Sequence, residues 1–386
     1  MQALAGIKVL ELGQLIAGPF AGKTLADFGA DVIKIEPEGG GDPLRKWRLL
    51  REGTSVWWEV QSRNKRSVCV DLRSDAGKDV VRRLAREADV VIENFKPGTL
   101  EGWGLGWEQL HALNPRLIML RISGFGQTGP YDATGLRVLG EAMGGLRHER
   151  RAGSCARARP GIDQRTLAAL HGVIGVLLAL RHAIPTAARA SSSTSRSTSV
   201  FNVMEEPAAR VRRLRRSPRT RRQRPARHRA HQRLSLRGRQ YVLVAGNGDS
   251  IYRRLMTAIG RADLADDPDL AHNDGRARRA AEIDAAIEAW TSQRSREQVL
   301  ETLEGANVPV GRIYSIADIA ADPQYRAREM IVETRDADGR PLKVPGIVPK
   351  LSATPGRIAH SAPRLGEHNE ECLGATGWPA RAGSPK

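Results

Sequence analysis

The sequence predicts an α/β protein, with a Rossmann-like, mainly parallel sheet and a second, smaller α/β domain. Three observations carry this. Over residues 1–125, five short apolar runs alternate with helix-patterned segments. A Gly/Ala-rich turn follows the first run and opens a helix. Beyond residue 240, a further apolar run and several helical stripes form a block of their own. Strands separated by helices of this length imply right-handed crossovers and therefore parallel pairing.

The elements follow in order. IKVLELG, ending at Gly13, is the first strand, and Ala17–Phe28 the helix after its turn. VIKIE (32–36) is the second strand and SVCVDL (67–72) the third. Residues 75–88 then place Val80, Val81, Leu84, Ala85 and Ala88 on one helical face. DVVIENF (89–95) is the fourth strand, WEQLHALN a helix, and LIMLRISGFG (117–126) the fifth strand. TLAALHGVIGVLLAL (166–180) is apolar on nearly every face, which predicts a fully buried helix. In the second block YVLVAG is a strand. Ile251, Leu255 and Ile259 stripe one helix, and Ile283, Ala286, Ile287 and Trp290 another; 296–304 is a third.

Charge is unevenly distributed. The chain of 386 residues carries a formal +18. Residues 146–240 hold 23 Arg, no Lys and four acids, a net of +19, so the rest is close to neutral at −1. A nucleic-acid-coating protein would spread its charge over a folded face. Within this window, 183–199 is Ser, Thr and Ala without apolar period, and 205–239 is Arg-rich and of low complexity. Neither buries enough surface to offset chain entropy, so both are expected to be disordered or badly packed. The three cysteines, Cys69, Cys155 and Cys372, are widely spaced and form neither a disulfide framework nor a metal motif. No signal peptide pattern opens the chain, and the apolar run 172–180 is about half a membrane span, so a cytoplasmic location is expected.

Several strings converge on one family. GIKVLELGQLIAGPFAGKTLADFGADVIKIEPEGGGDPLR, NKRSVCVDL and DVVIENFKPGTLEGWGLGWEQLHALNPRLIMLRISGFGQTGPY resemble the class III CoA-transferases. That family includes formyl-CoA, carnitine-CoA and dicarboxylate CoA-transferases and the 2-methylacyl-CoA racemases. NVPVGRIYSIADIAADPQYRAR, VPGIVPKLSATPG and LGEHNEE resemble its later motifs. The resemblance spans roughly three quarters of the chain in order, far more than a lone glycine motif. It implies acyl-CoA and a carboxylic acid as substrates, no permanently bound cofactor, no metal, and an interlocked homodimer. It also implies a large CoA-binding domain over 1–200, with damaged or disordered stretches at 147–165 and 183–199. A small domain over 240–328 and a return to the large domain over 329–386 complete the expected organisation.

The site residues come from the same resemblance. Ala17 holds the place of a CoA contact in the turn that opens the first helix, where a helix N-terminus can face a phosphate. Val70, Asp71, Leu72 and Arg73 match a second contact string, and Asn94, Phe95 and Lys96 a third. From the residues alone, Phe95 reads as core, Asn94 as a turn former and the two cations as solvated charges. A further family Arg falls on Gly102 and is lost. The nucleophile is expected to be an Asp at the start of the buried helix, held ionised by the helix dipole. Counting back from Gly175 places it on Arg165, whose guanidinium cannot act as a nucleophile. The nearest carboxylate, Asp163, is the candidate, with a plain N-cap as the competing reading. The racemase branch expects a His after GQTGP; YDATGLRVLGEAMGG has none, which favours transferase over the racemase-like alternative. His171, mid-helix, reads as a satisfied core or interface histidine.

The window 146–240 has a codon-level explanation. The family motif Val-Val-Asp-Val-Ala-Leu-Tyr, written GTC GTC GAC GTC GCG CTC TAC, reads one base later as Ser-Ser-Thr-Ser-Arg-Ser-Thr. That is the string from Ser192 to Thr198. Parts of 146–240 therefore read as translated out of frame, with the true frame at 166–182, at 200–204 and from about 240. The rival is an Arg-rich arm that binds nucleic acid through counterion release. It lacks aromatic residues for base stacking, so nucleic acid is the disfavoured partner.

Overall fold

The computed structural model describes residues 2–124, 126–127, 164–186, 192–196, 231–235, 241–246, 248–374 and 378–379. Asp163, most of 147–165, most of 183–199 and 205–230 lie outside them. Two compact units divide the chain: Met1–Arg216 with Glu329–Lys386, and Ser217–Arg328.

The first unit is built on β1 (Lys8–Glu11), β2 (Asp31–Glu36), β3 (Lys65–Cys69), β4 (Val90–Glu93), β5 (Ile118–Ser123) and β6 (Ser192–Arg196). Their order across the sheet is β3-β2-β1-β4-β5-β6, and every pair is parallel. This is the doubly wound dinucleotide-fold order, with its reversal between β1 and β4.

Successive residues along β1 feed opposite cores. Val9 packs with α1 (Ala17–Asp27) and with Ala168, Ala169 and Val173. Leu10 packs with Val81, Leu84 and Leu110 on the other face. Complete burial of each such aliphatic side chain contributes about 1.5–3 kcal/mol. The helix α2 (Val56–Gln61) is capped by Ser55, and α3 (Asp75–Ala85) by Ser74. The Ser74 hydroxyl accepts the Gly77 amide at 3.0 Å.

The strand expected at 67–72 instead spans Lys65–Cys69. The Asp71 carboxylate accepts the Arg73 amide at 3.0 Å and Ser74 N–H bonds back to the Asp71 carbonyl, so the chain turns before it can extend the ladder. Order also reaches further than composition suggests. Helix α4 (Gln164–Thr186) runs past residue 183, and Ser192–Arg196 forms the outermost strand, paired Met119↔Ser192 through Ser123↔Arg196. The ladder requires only backbone groups, so a polar string can occupy a sheet edge.

The fully buried helix expected over 166–180 is buried on one face only. Ala168, Ala169 and Val176 face the core, and Gly172 lies so close to β5 that a Cβ would meet Leu120 at 2.7 Å. Leu170, Ile174, Leu177 and Leu178 are exposed, Leu178 at 66%. His171 is exposed as well, its Nδ1 3.0 Å from the Leu167 carbonyl. By length and composition α4 is long enough to cross a membrane, with 28% of the window Arg165–Ala183 buried.

The second unit pairs β7 (His231–Ser235), β8 (Tyr241–Ala245) and β9 (Val310–Arg312) antiparallel, in the order β9-β8-β7. A strand thus occupies His231–Ser235, inside the Arg-rich window expected to lack order. Helices Asp249–Ala258, Ala280–Thr291 and Arg296–Gly305 cover a core of Val242, Leu255, Ile283, Ile287, Val299 and Leu303.

Candidate functional site at the sheet switch point

In an open parallel sheet, the crevice for a ligand opens beyond the carboxyl ends of the strands, where the strand order reverses. Here that point lies between β1 and β4. β1 and β4 stay joined as far as Leu12 and Gly13, whose amides both donate to the Ile92 carbonyl. The chain after β1 then turns through Gly13, Gln14 and Leu15 into α1. The chain after β4 continues as Asn94, Phe95 and Lys96.

The turn is built to an unusual backbone. Leu15 has φ +67°, a region that branched residues avoid. Gly13 and Gly18 touch across it. A Cβ on Gly18 would lie 2.7 Å from Gly13 Cα, and one on Gly13 would lie 2.7 Å from Asn94 Oδ1. No side chain caps α1, and Pro19 in its first turn has no N–H. Its opening backbone donors are of the kind that hold an anion.

A buried charge network lies beneath the turn. Lys34, Glu11 and Lys65 are fully buried, as is Asp42. Lys34 Nζ pairs with Asp42 at 2.8 Å and Glu11 at 3.0 Å, and donates to the Gly13 carbonyl at 2.8 Å. Burial alone would lower the Lys34 ammonium, but the carboxylates of Asp42, Glu11 and Glu36 outweigh it and hold it above the usual lysine range. Lys65 pairs with Glu11 at 2.7 Å and donates to the Pro19 carbonyl at 2.8 Å. There burial wins, and its pKa is pushed down to about 8. Burial would raise Glu36, but a two-point bond from Arg45, 2.7 Å at each oxygen, and the nearby Lys34 charge hold it low.

The residues expected to contact CoA distribute as follows. Ala17 is buried at the first position of α1. Val70 is buried in the core, and Leu72 packs against the same cluster as Phe95. Asp71 and Arg73 pair with each other, Nε to Oδ1 at 3.0 Å, with the Arg73 side chain 80% exposed. Phe95 stands edge-on to Trp103, ring centroids 5.4 Å apart. Lys96 is exposed and forms no ion pair with a described residue. All follow the carboxyl ends of β1, β3 and β4. Asn94 is committed to protein: it accepts the Gln14 amide at 2.6 Å and donates to the Gln14 carbonyl at 2.9 Å. Asp163 lies outside the described residues; α4 is described from Gln164, and Arg165 is half-buried.

Comparison with known proteins identifies the family. A model of CoA-transferase family III matches residues 4–369. The chain belongs to CoA-transferase family III. It is 42% identical over 377 residues to a succinyl-CoA–D-citramalate CoA-transferase of Chloroflexus aurantiacus, covering 95% of this chain and 92% of that protein. It is 32% identical over 396 residues to a succinate–glutarate CoA-transferase of Agrobacterium fabrum, covering 96% and 94%. Among solved structures, a CAIB/BAIF family protein from Brucella suis superposes with TM-score 0.79 at 34% identity, covering 96% of this chain and 98% of that one. Membership makes the chain a CoA-transferase homologue, and the family implies acyl-CoA and carboxylate substrates. The sequence reading missed Lys34, Glu36 and Asp42. The signal available for Lys34 and Glu36 was their placement in VIKIE, where charge alternates with apolar residues, a pattern that ordinarily marks a solvated face.

Proposed function

We propose that this protein transfers CoA from the thioester of one short dicarboxylic acid to another free carboxylic acid, in the cytoplasm. The observation that carries the reading is the alignment with relatives named for succinyl-CoA with citramalate and succinate with glutarate, over nearly the whole chain. The family contacts Ala17, Val70, Asp71, Leu72, Arg73, Phe95 and Lys96 form the CoA-facing side of the crevice, with Asn94 at its junction. Lys96 and Arg73 supply positive charge for the phosphates.

The chemistry is covalent. A carboxylate oxygen attacks the thioester carbonyl and expels the CoA thiolate, which leaves a mixed anhydride. The thiolate attacks the anhydride at the protein's carbonyl and expels the first acid, forming a protein-CoA thioester. The acceptor carboxylate then runs the same two steps in reverse. Asp163 is the carboxylate nearest the start of α4 and takes this role in the chain as it stands. Arg165 occupies the position the resemblance assigns to Asp, so turnover is low while CoA binding is kept. The out-of-frame reading of parts of 146–240 accounts for that exchange. A second copy of the chain covers the exposed Leu170, Ile174, Leu177 and Leu178.

The test uses succinyl-CoA with D-citramalate or glutarate and follows new CoA thioesters by mass spectrometry. The gene is first resequenced across codons 146–240, and a frame-repaired protein is prepared alongside the present chain. Rapid transfer by the repaired protein, slow transfer by the present chain, and none by a repaired Asp-to-Ala variant are expected. A repaired protein that binds CoA without transferring it refutes the function. An intact reading frame, with peptides from 205–239 recovered from cells, refutes the frame explanation.

A further inference from the structure

Resting on the CoA-binding reading above, we infer that Lys34, Asp42 and Asn94 are positioning residues that lock the Gly13–Leu15 turn in the backbone form that receives CoA. Each successive residue of the turn is held by a different side chain. Lys34 Nζ donates to the Gly13 carbonyl at 2.8 Å. Asn94 grips both backbone groups of Gln14, at 2.6 and 2.9 Å. The Asp42 carboxylate accepts the Leu15 amide, at 2.9 Å to Oδ1 and 3.2 Å to Oδ2.

Three features make this more than a chance set of contacts. The turn lies at the reversal of strand order, where β1 and β4 part after Gly13. Asn94 extends the ladder there with its side-chain amide, offering one donor and one acceptor as a neighbouring strand would. Leu15 sits at φ +67°, and a leucine stays in that region only where its surroundings over-determine it. Finally, the clamps are tied to one another. Lys34 pairs with Asp42 at 2.8 Å, and Asp42 N–H donates to Glu36 at 2.9 Å, so the support reaches back into β2.

Two consequences follow. Asn94 acts through the turn rather than as a direct contact with CoA. Lys34 of VIKIE and Asp42 of GGGDP serve the placement of the backbone at this turn. Preorganised turns raise affinity by removing an ordering cost from the binding step.

The experiment measures CoA binding by calorimetry together with backbone amide exchange, on the full chain and on Asn94→Ala, Asp42→Asn and the double variant. Each single variant is expected to bind CoA about tenfold more weakly or worse. Exchange is expected to rise at Gln14 in Asn94→Ala and at Leu15 in Asp42→Asn, with Leu10 and Ile92 still protected. Because both act on one turn, the double variant loses less than the product of the single losses. Should Asp42→Asn fail to fold, Asn94→Ala, which leaves the charge network intact, carries the test. Weaker binding with the Gln14 amide still protected would make Asn94 a direct contact and overturn the inference. So would unchanged affinity once the turn is released. CoA that fails to bind even the unaltered chain overturns the functional reading itself, and this inference with it.

Discussion

Gly22 in α1 marks the point where the buried charge network has no slack. A Cβ there would lie 1.9 Å from Glu11 Oε2, 2.9 Å from its Cδ and 3.4 Å from Lys65 Nζ. Gly22→Ala therefore displaces a fully buried carboxylate that holds Lys34 at 3.0 Å and Lys65 at 2.7 Å. Breaking a buried ion pair costs about 3–5 kcal/mol. The gain in helix propensity returns at most about 1 kcal/mol. A net loss of about 2–4 kcal/mol is expected, read as a drop in the urea midpoint at unchanged slope. Gly305, with nothing within 4 Å of an added Cβ, serves as the control; Gly305→Ala should be neutral or slightly stabilising. Gly22→Ala with wild-type stability would show that Glu11 moves freely, and would refute the account of a rigid network under the turn.

Other perturbations test separate parts of the structure. Glu59 lines a cavity of about 410 Å³ with Arg45, Arg51 and Asp336, and its Oε2 is buried without a hydrogen-bond partner among the described residues. Burial, with Asp336 adding repulsion, pushes its pKa up to about 7. A raised carboxyl stabilises the fold below its unfolded pKa of about 4.3 and loses that contribution as pH rises through 7. Glu59→Gln should therefore match the unaltered chain at pH 4.5 and exceed it at pH 8.5 by about 1 kcal/mol, the full shift being discounted for the group's partial exposure. Equal stabilities at both pH values would count against it. Lys96→Ala should weaken CoA binding about 3- to 10-fold at low salt and less at high salt, whereas a salt-independent loss would argue against a phosphate contact. Replacing Ile174 and Leu178 with Glu should shift the chain toward monomer in light scattering; an unchanged mass would remove α4 from any contact between copies.

Much of the fold is legible because its signal is local. β1, β2, β4 and β5 are apolar runs bounded by polar turns, and α3 shows its face in Val81, Leu84 and Ala85. What the residues do not reveal depends on the tertiary arrangement. The end of β3 is set by the Asp71 turn rather than by the apolar run, which continues through Val70 and Leu72. The exposed side of α4 carries the same residue types as its buried side, so composition cannot separate them. Lys34 and Asp42 meet only because β2 and the GGGDP loop close over β1, a contact no sequence period encodes. Asn94 is legible as a turn former, yet its use as a two-point clamp on Gln14 requires β1 and β4 to be neighbours, 80 residues apart in sequence.

The most direct test of the account is a calorimetric titration of the unaltered chain with CoA. A single saturable site is expected, with a dissociation constant on the order of 10 µM, about −7 kcal/mol, displaced by succinyl-CoA. No saturable binding at millimolar CoA would contradict it.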